Sequence, residues 1–148
     1  VIEAPQRAAA ALGKGGCYVL CIFRWAEKVA GIAVDALAEF ARAVGRECVY
    51  ADGYVRQADV LLSSLAGGTW RVLKGGDGLD SYGKPYDLPL SYQPAPGELE
   101  IDRYEIAGEA GHFVLPDGWD PYGESRAVRD GRLVSKRIFR RINAVGVS

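Results

Sequence analysis

The chain is short of the residues from which metal sites and disulfide frameworks are built: one histidine, His112, and three cysteines, Cys17, Cys21 and Cys48, in 148 residues. An odd cysteine count with no CxxC pair excludes a closed disulfide scaffold and the usual zinc spacing, and a four-ligand zinc site would have to borrow carboxylates. No metal or other cofactor is expected. Charge of one sign is also missing. Eighteen Lys and Arg against nineteen Asp and Glu leave a net charge of −1, so nothing global draws the protein to nucleic acid or an anionic membrane. No apolar run approaches the ~20 residues that span a bilayer, and the first dozen residues lack the apolar core of a signal peptide. These absences, with thiols left unpaired, point to a reducing, cytoplasmic location. The segment Gly13-Lys14-Gly15-Gly16 lacks the spacing and the preceding strand of a phosphate loop, and no internal repeat is visible.

What is present suits one domain over residues 1–148, since 49% hydrophobic residues at this length support one substantial core and not two. An alanine-rich helical lead over residues 8–12 is stopped by the glycine run. From Cys17 to Val29 the sequence CYVLCIFRWAEKV is apolar nearly all round until Arg24, the pattern of a central helix buried on several sides. A surface helix is expected from about Ala33 to Val44, ended by Gly45. A third is expected from about Gly53 to Leu65, with Asp52 as its N-cap. Strands are expected at Thr69–Lys74 and Leu99–Ile106. Between them the 75–97 stretch, dense in glycine, proline and tyrosine, is either a substrate-facing loop or ordinary variable surface. Tyr82, Tyr86 and Tyr92 there, with Trp119, could form an aromatic cleft or simply cover the sheet. The last third reads as an antiparallel meander: a strand from His112 to Leu115, a turn at Pro116-Asp117-Gly118, and a hairpin centred on Asp130-Gly131. Residues 136–142 close the sheet or form a terminal helix. Helices first and sheet second predict an α+β fold with segregated halves. Seven basic residues against one acid between Arg126 and Arg141 are read as a solvated strand face rather than an anion site.

The chemistry centres on Cys17. A thiol acts as a nucleophile through its thiolate, and a helix start and a neighbouring imidazolium both favour that form. Cys17 opens the apolar helix, and His112 is the only imidazole available. The same helix-start amides could donate to an oxyanion. The bland alternative is a small buried cysteine, which is how Cys21, one turn deeper, and Cys48 are read. Asp120 would orient His112 if Pro116, Asp117 and Gly118 make a three-residue turn, because it then lies opposite Val114 and diagonal to His112. Asp117 is the competitor but falls in the turn, where an aspartate usually serves the backbone.

The order Gly16-Cys17-Tyr18 at the start of an apolar helix, Gly111-His112-Phe113-Val114-Leu115 on a strand, and Trp119-Asp120-Pro121-Tyr122 after a turn resembles the Cys…His…Asp layout of papain-like cysteine peptidases. It is most similar to their compact bacterial branch, which includes the double-glycine leader peptidases. It also resembles an uncharacterised papain-like family of bacteria and phages that shares the Gly-Cys-Tyr helix and an ending like residues 128–139. The resemblance implies a papain-like fold with Cys17 as nucleophile, His112 as general base and acid, and Asp120 as the orienting residue. It implies a peptidase or amidase acting on peptide or cell-wall peptide, in a bacterial or phage-encoded protein. The glutamine that supplies an oxyanion donor in such enzymes has no counterpart near Cys17, Gln6 being the only glutamine upstream. A papain-like binding or structural protein without catalysis is therefore the alternative.

Overall fold

The computed structural model describes residues 16–107, 109, 111–123 and 126–142. The expected helical lead over residues 8–12, and Gln6, lie outside them. The fold is α+β: helices lead, and a four-stranded antiparallel sheet follows. Helix α1 (Cys17–Ala30) buries Cys17, Val19, Leu20, Cys21, Ile22, Phe23 and Ala26. It ends at Gly31, whose left-handed backbone (φ 65°) returns its amide to the Glu27 carbonyl at 2.9 Å. Helix α2 (Ala36–Gly45) is capped by the Asp35 carboxylate and buries only Ala43, as its narrow apolar face predicts.

Helix α3 (Ala58–Ala66) begins later than the sequence suggested. Asp52 caps a tight turn instead, its Oδ1 accepting from the Tyr54 amide at 3.2 Å, while Val49 bridges Val55. Gly53 at φ 95° lies where a side chain is disfavoured, so the Asp-Gly pair closes a turn rather than opening a helix.

Strands β1 (Thr69–Gly75), β2 (Leu99–Glu105), β3 (His112–Val114) and β4 (Arg132–Ile142) stand in the order β1-β4-β2-β3. The last strand in the chain is thus central, paired from Thr69↔Ile142 to Gly75↔Lys136 on one side and from Leu99↔Phe139 to Glu105↔Arg132 on the other. The Asp130-Gly131 hairpin is not formed. Residues Arg126–Asp130 make a short helix, α4, and the Gly131 amide caps it on the Ala127 carbonyl at 2.9 Å. A Cβ at Gly131 would lie 2.5 Å from that carbonyl and 2.8 Å from the Glu105 carbonyl, so the glycine serves close backbone packing rather than a positive-φ turn. Trp70, Leu99, Ile101 and Phe139 meet α1 and α3 in the core. Trp25 of α1 ties helix to sheet through its indole N–H, which donates to the Glu100 carbonyl at 2.8 Å.

Candidate active site

Cys17 is the first residue of α1, and the first intrahelical bond runs from the Leu20 amide to the Gly16 carbonyl at 3.0 Å. The Cys17 amide is therefore one of the helix-start donors without a partner in the helix. His112 is the first residue of the edge strand β3, held against Tyr104 of β2. Sheet edge and helix start meet, and the imidazole lies beside the Cys17 thiol, close enough for the two groups to interact electrostatically.

Asp120 reaches His112 by a different route from the one the sequence suggested. The Leu115 amide donates to the Trp119 carbonyl at 2.9 Å, so Pro116, Asp117 and Gly118 do make the turn, but no return strand continues through Asp120. Instead Asp120-Pro121-Tyr122-Gly123 forms a second turn. The Gly123 amide donates to the Asp120 carbonyl at 3.0 Å, and the Tyr122 amide donates to Asp120 Oδ1 at 2.8 Å. Aspartate first and proline second suit such a turn. The 8%-exposed Asp120 presents both carboxylate oxygens to His112 Nε2, each at 2.9 Å. Nδ1 is then the ring nitrogen left for the thiol. Asp117 does serve its own turn, accepting from the Trp119 amide at 2.9 Å and from Lys28 Nζ at 2.8 Å. The Lys28 hydrogen bond chiefly holds its carboxyl below the usual range.

Burial disfavours the imidazolium of His112, but the hydrogen bonds to Asp120 and Cys17 and their charges outweigh it and raise the pKa to about 9. At neutral pH the ring is protonated, the state that favours a thiolate beside it. Cys21, fully buried one turn on, has its thiol pushed well up by burial and then by Cys17. Cys48 is 1% exposed and packs in the core.

Tyr122 is the residue that sequence reasoning left without a role. Its ring stacks on His112, centroids 4.9 Å apart, and its phenol lies near Cys17. Burial, then the Cys17 side chain, push the phenol up, so it remains a protonated donor. The signal lay in the sequence: an aromatic two residues after the orienting aspartate is carried by the same turn.

Other expectations do not meet here. Tyr82 is 78% exposed under Lys74, Tyr92 donates to Glu98 at 2.6 Å, and Trp119 lies beneath Arg24, so no aromatic cleft forms. The 75–97 connection is pinned to β1, β4 and Glu98, and among the described residues none of its hydrogen bonds reaches Cys17, His112 or Asp120. In the basic C-terminal segment Arg126, Arg129, Arg132 and Arg141 are exposed, as a solvated face requires, and the other basic residues are partly or fully drawn in. Lys136 is buried, Arg140 Nε pairs with Glu98 at 2.6 Å, and Arg141 stacks on Trp70 at 4.6 Å. Among the described residues no cluster of His, Cys, Asp or Glu could hold a metal ion, and no helix is long and apolar enough to cross a membrane. No family model, curated protein or solved structure matches this chain.

Proposed function

We propose that the protein is a papain-like cysteine hydrolase, a peptidase or amidase. The observation that carries this reading is that His112 Nε2 engages both oxygens of a buried aspartate at 2.9 Å while the same ring lies beside a thiol at the first residue of a buried helix. Attack of the Cys17 sulfur on an acyl carbon would form a C–S bond and push charge onto the carbonyl oxygen. The helix-start amide of Cys17 and the nearby Tyr122 hydroxyl are the donors available to that oxygen. As the tetrahedral species collapses, the C–N bond breaks and His112 gives its proton to the departing nitrogen. Water then attacks the thioester, His112 takes its proton, and the thiol is restored. Asp120 keeps the ring oriented throughout and stabilises its charged form at either end of the cycle.

A binding or structural role for the same fold was the alternative, and it drew its strength from the missing glutamine. The phenol of Tyr122, stacked on His112 and near Cys17, offers another donor and favours the enzyme over it. A peptide or cell-wall peptide is the proposed substrate, in a bacterial or phage setting.

The test is competitive alkylation with a small iodoacetamide, read by peptide mass mapping. Cys17 should be labelled far ahead of Cys21 and Cys48 in the folded protein, and His112→Ala should erase the lead. Equal labelling of the three thiols would sink the hydrolase reading.

A further inference from the structure

Beyond Cys17 and His112 the two chain neighbours of the pair, Tyr18 and Phe113, stack on one another with centroids 4.5 Å apart and planes 17° from parallel. Arg137 of β4 lies on the same Phe113 ring, its guanidinium carbon 5.4 Å from the centroid. Its Nη1 donates to Ser135 Oγ and to the Lys136 carbonyl, both at 3.2 Å. Among the described residues Nε and Nη2 make no hydrogen bond, and neither is sealed from solvent. Half-buried Arg137 also has no carboxylate among the described residues within ion-pair distance, in contrast to Arg140, three residues on in β4, which pairs with Glu98. A guanidinium drawn in from water without a counter-charge is costly, and it presents a two-pronged donor that matches a carboxylate.

A second cation adds to the first. Arg103 of β2 is the register partner of Phe113 and lies across Gly111, where any Cβ would collide with its guanidinium. Its one carboxylate partner is Glu105, at 2.7 Å. Two arginines thus share one acid on the face that holds Phe113. Burial lowers the Arg137 pKa, the Tyr18 phenol opposes this, and the Arg103 charge lowers it further, as expected of neighbouring cations. Asp80, the other acid in range, accepts from the Tyr82 and Lys84 amides of its own exposed turn at 2.9 Å.

We propose that Arg137, assisted by Arg103, is a carboxylate-binding subsite that holds a peptide by an acidic group, either a C-terminal carboxylate or an Asp or Glu side chain. Its relation to the scissile bond rests on the hydrolase reading; the binding itself does not.

Binding is separated from chemistry in full-length Cys17→Ala protein, titrated by NMR with three acetylated tripeptides. One has a free C-terminal carboxylate and otherwise neutral residues, one an amidated terminus and a glutamate side chain, and one no charge. At least one acidic peptide should bind about tenfold or more tighter than the neutral one, as a charged hydrogen bond warrants. Whichever does so identifies the source of the carboxylate. Arg137→Gln should abolish the preference, Arg137→Lys should keep part of it, and Arg140→Gln should leave it intact. Equal binding of all three peptides overturns the subsite. So does a preference that survives Arg137→Gln with an unchanged melting temperature, or, should that variant not fold, one undiminished in Arg137→Lys. If the preference is present but Cys17 shows no labelling lead, the hydrolase reading fails and the subsite stands; the reverse result separates them the other way.

Discussion

Replacing Asp120 by asparagine isolates the charge that holds His112. Asparagine keeps an oxygen for the Tyr122 amide, now 2.8 Å from Oδ1, so the turn should survive while the carboxylate is lost. In the native protein His112 is raised from 6.5 to about 9, and its side chain is only 17% exposed. At ~1.4 kcal/mol per pKa unit the folded state holds the imidazolium by roughly 3 kcal/mol, shared between Asp120 and Cys17. Because the folded pKa lies above the unfolded one, this stabilisation is complete below pH 6.5 and disappears as the pH rises through 9. Asp120→Asn should move the titration midpoint toward 6.5 and cost about 2–3 kcal/mol at pH 6, a difference that shrinks toward zero at pH 10. The chain has one histidine, so one imidazole resonance followed against pH reads the midpoint without assignment, and urea unfolding at the two pH values reads the stability. A native midpoint near 6.5, or one near 9 that the substitution leaves in place, would refute the reasoning.

Tyr122→Phe keeps the ring that stacks on His112 and removes the hydroxyl near Cys17. Acylation by an activated ester should slow about a hundredfold, the usual cost of one oxyanion donor. The His112 midpoint should scarcely move, and an unchanged acylation rate would remove Tyr122 from the chemistry. Lys136, 4% exposed, donates to the Tyr92 carbonyl at 2.9 Å and lies 3.5 Å from Glu100, with Asp102 its register partner. Burial and then Glu100 raise the Asp102 pKa to about 8, and its Oδ1 has no partner. Lys136→Met should therefore cost about 3–5 kcal/mol above pH 8, where Asp102 is charged, and clearly less at pH 4, where it holds its proton. Urea unfolding at both pH values checks this, and a pH-independent loss would contradict it.

Much of the helical half was legible because its signals are local. The unbroken apolar run after Gly16 marks a buried helix whatever lies around it, and Gly45, read as the stop of the next helix, is its last residue. Reading went wrong where one short motif serves two structures. Asp52-Gly53 could cap a helix or close a turn, and the Val49↔Val55 bridge decides for the turn. Asp130-Gly131 could centre a hairpin, but the Ala127 and Glu105 carbonyls crowd Gly131, and α4 ends there instead.

The sequence by itself determined the α+β class, the burial of the Cys17 helix and the short roll of groups available for chemistry, because periodicity and scarcity are properties of the chain alone. One histidine leaves one imidazole to consider. Only the tertiary structure decided that Asp120 comes from a turn rather than a strand, that Tyr122 lies against the nucleophile, and that Arg137 caps the Tyr18 and Phe113 stack. The Tyr122 and Arg137 contacts join residues far apart in the chain, and that of Arg137 depends on β4, last in sequence, inserting at the centre of the sheet. No local pattern in residues 132–142 encodes that insertion, since it is selected by what β1 and β2 leave unpaired.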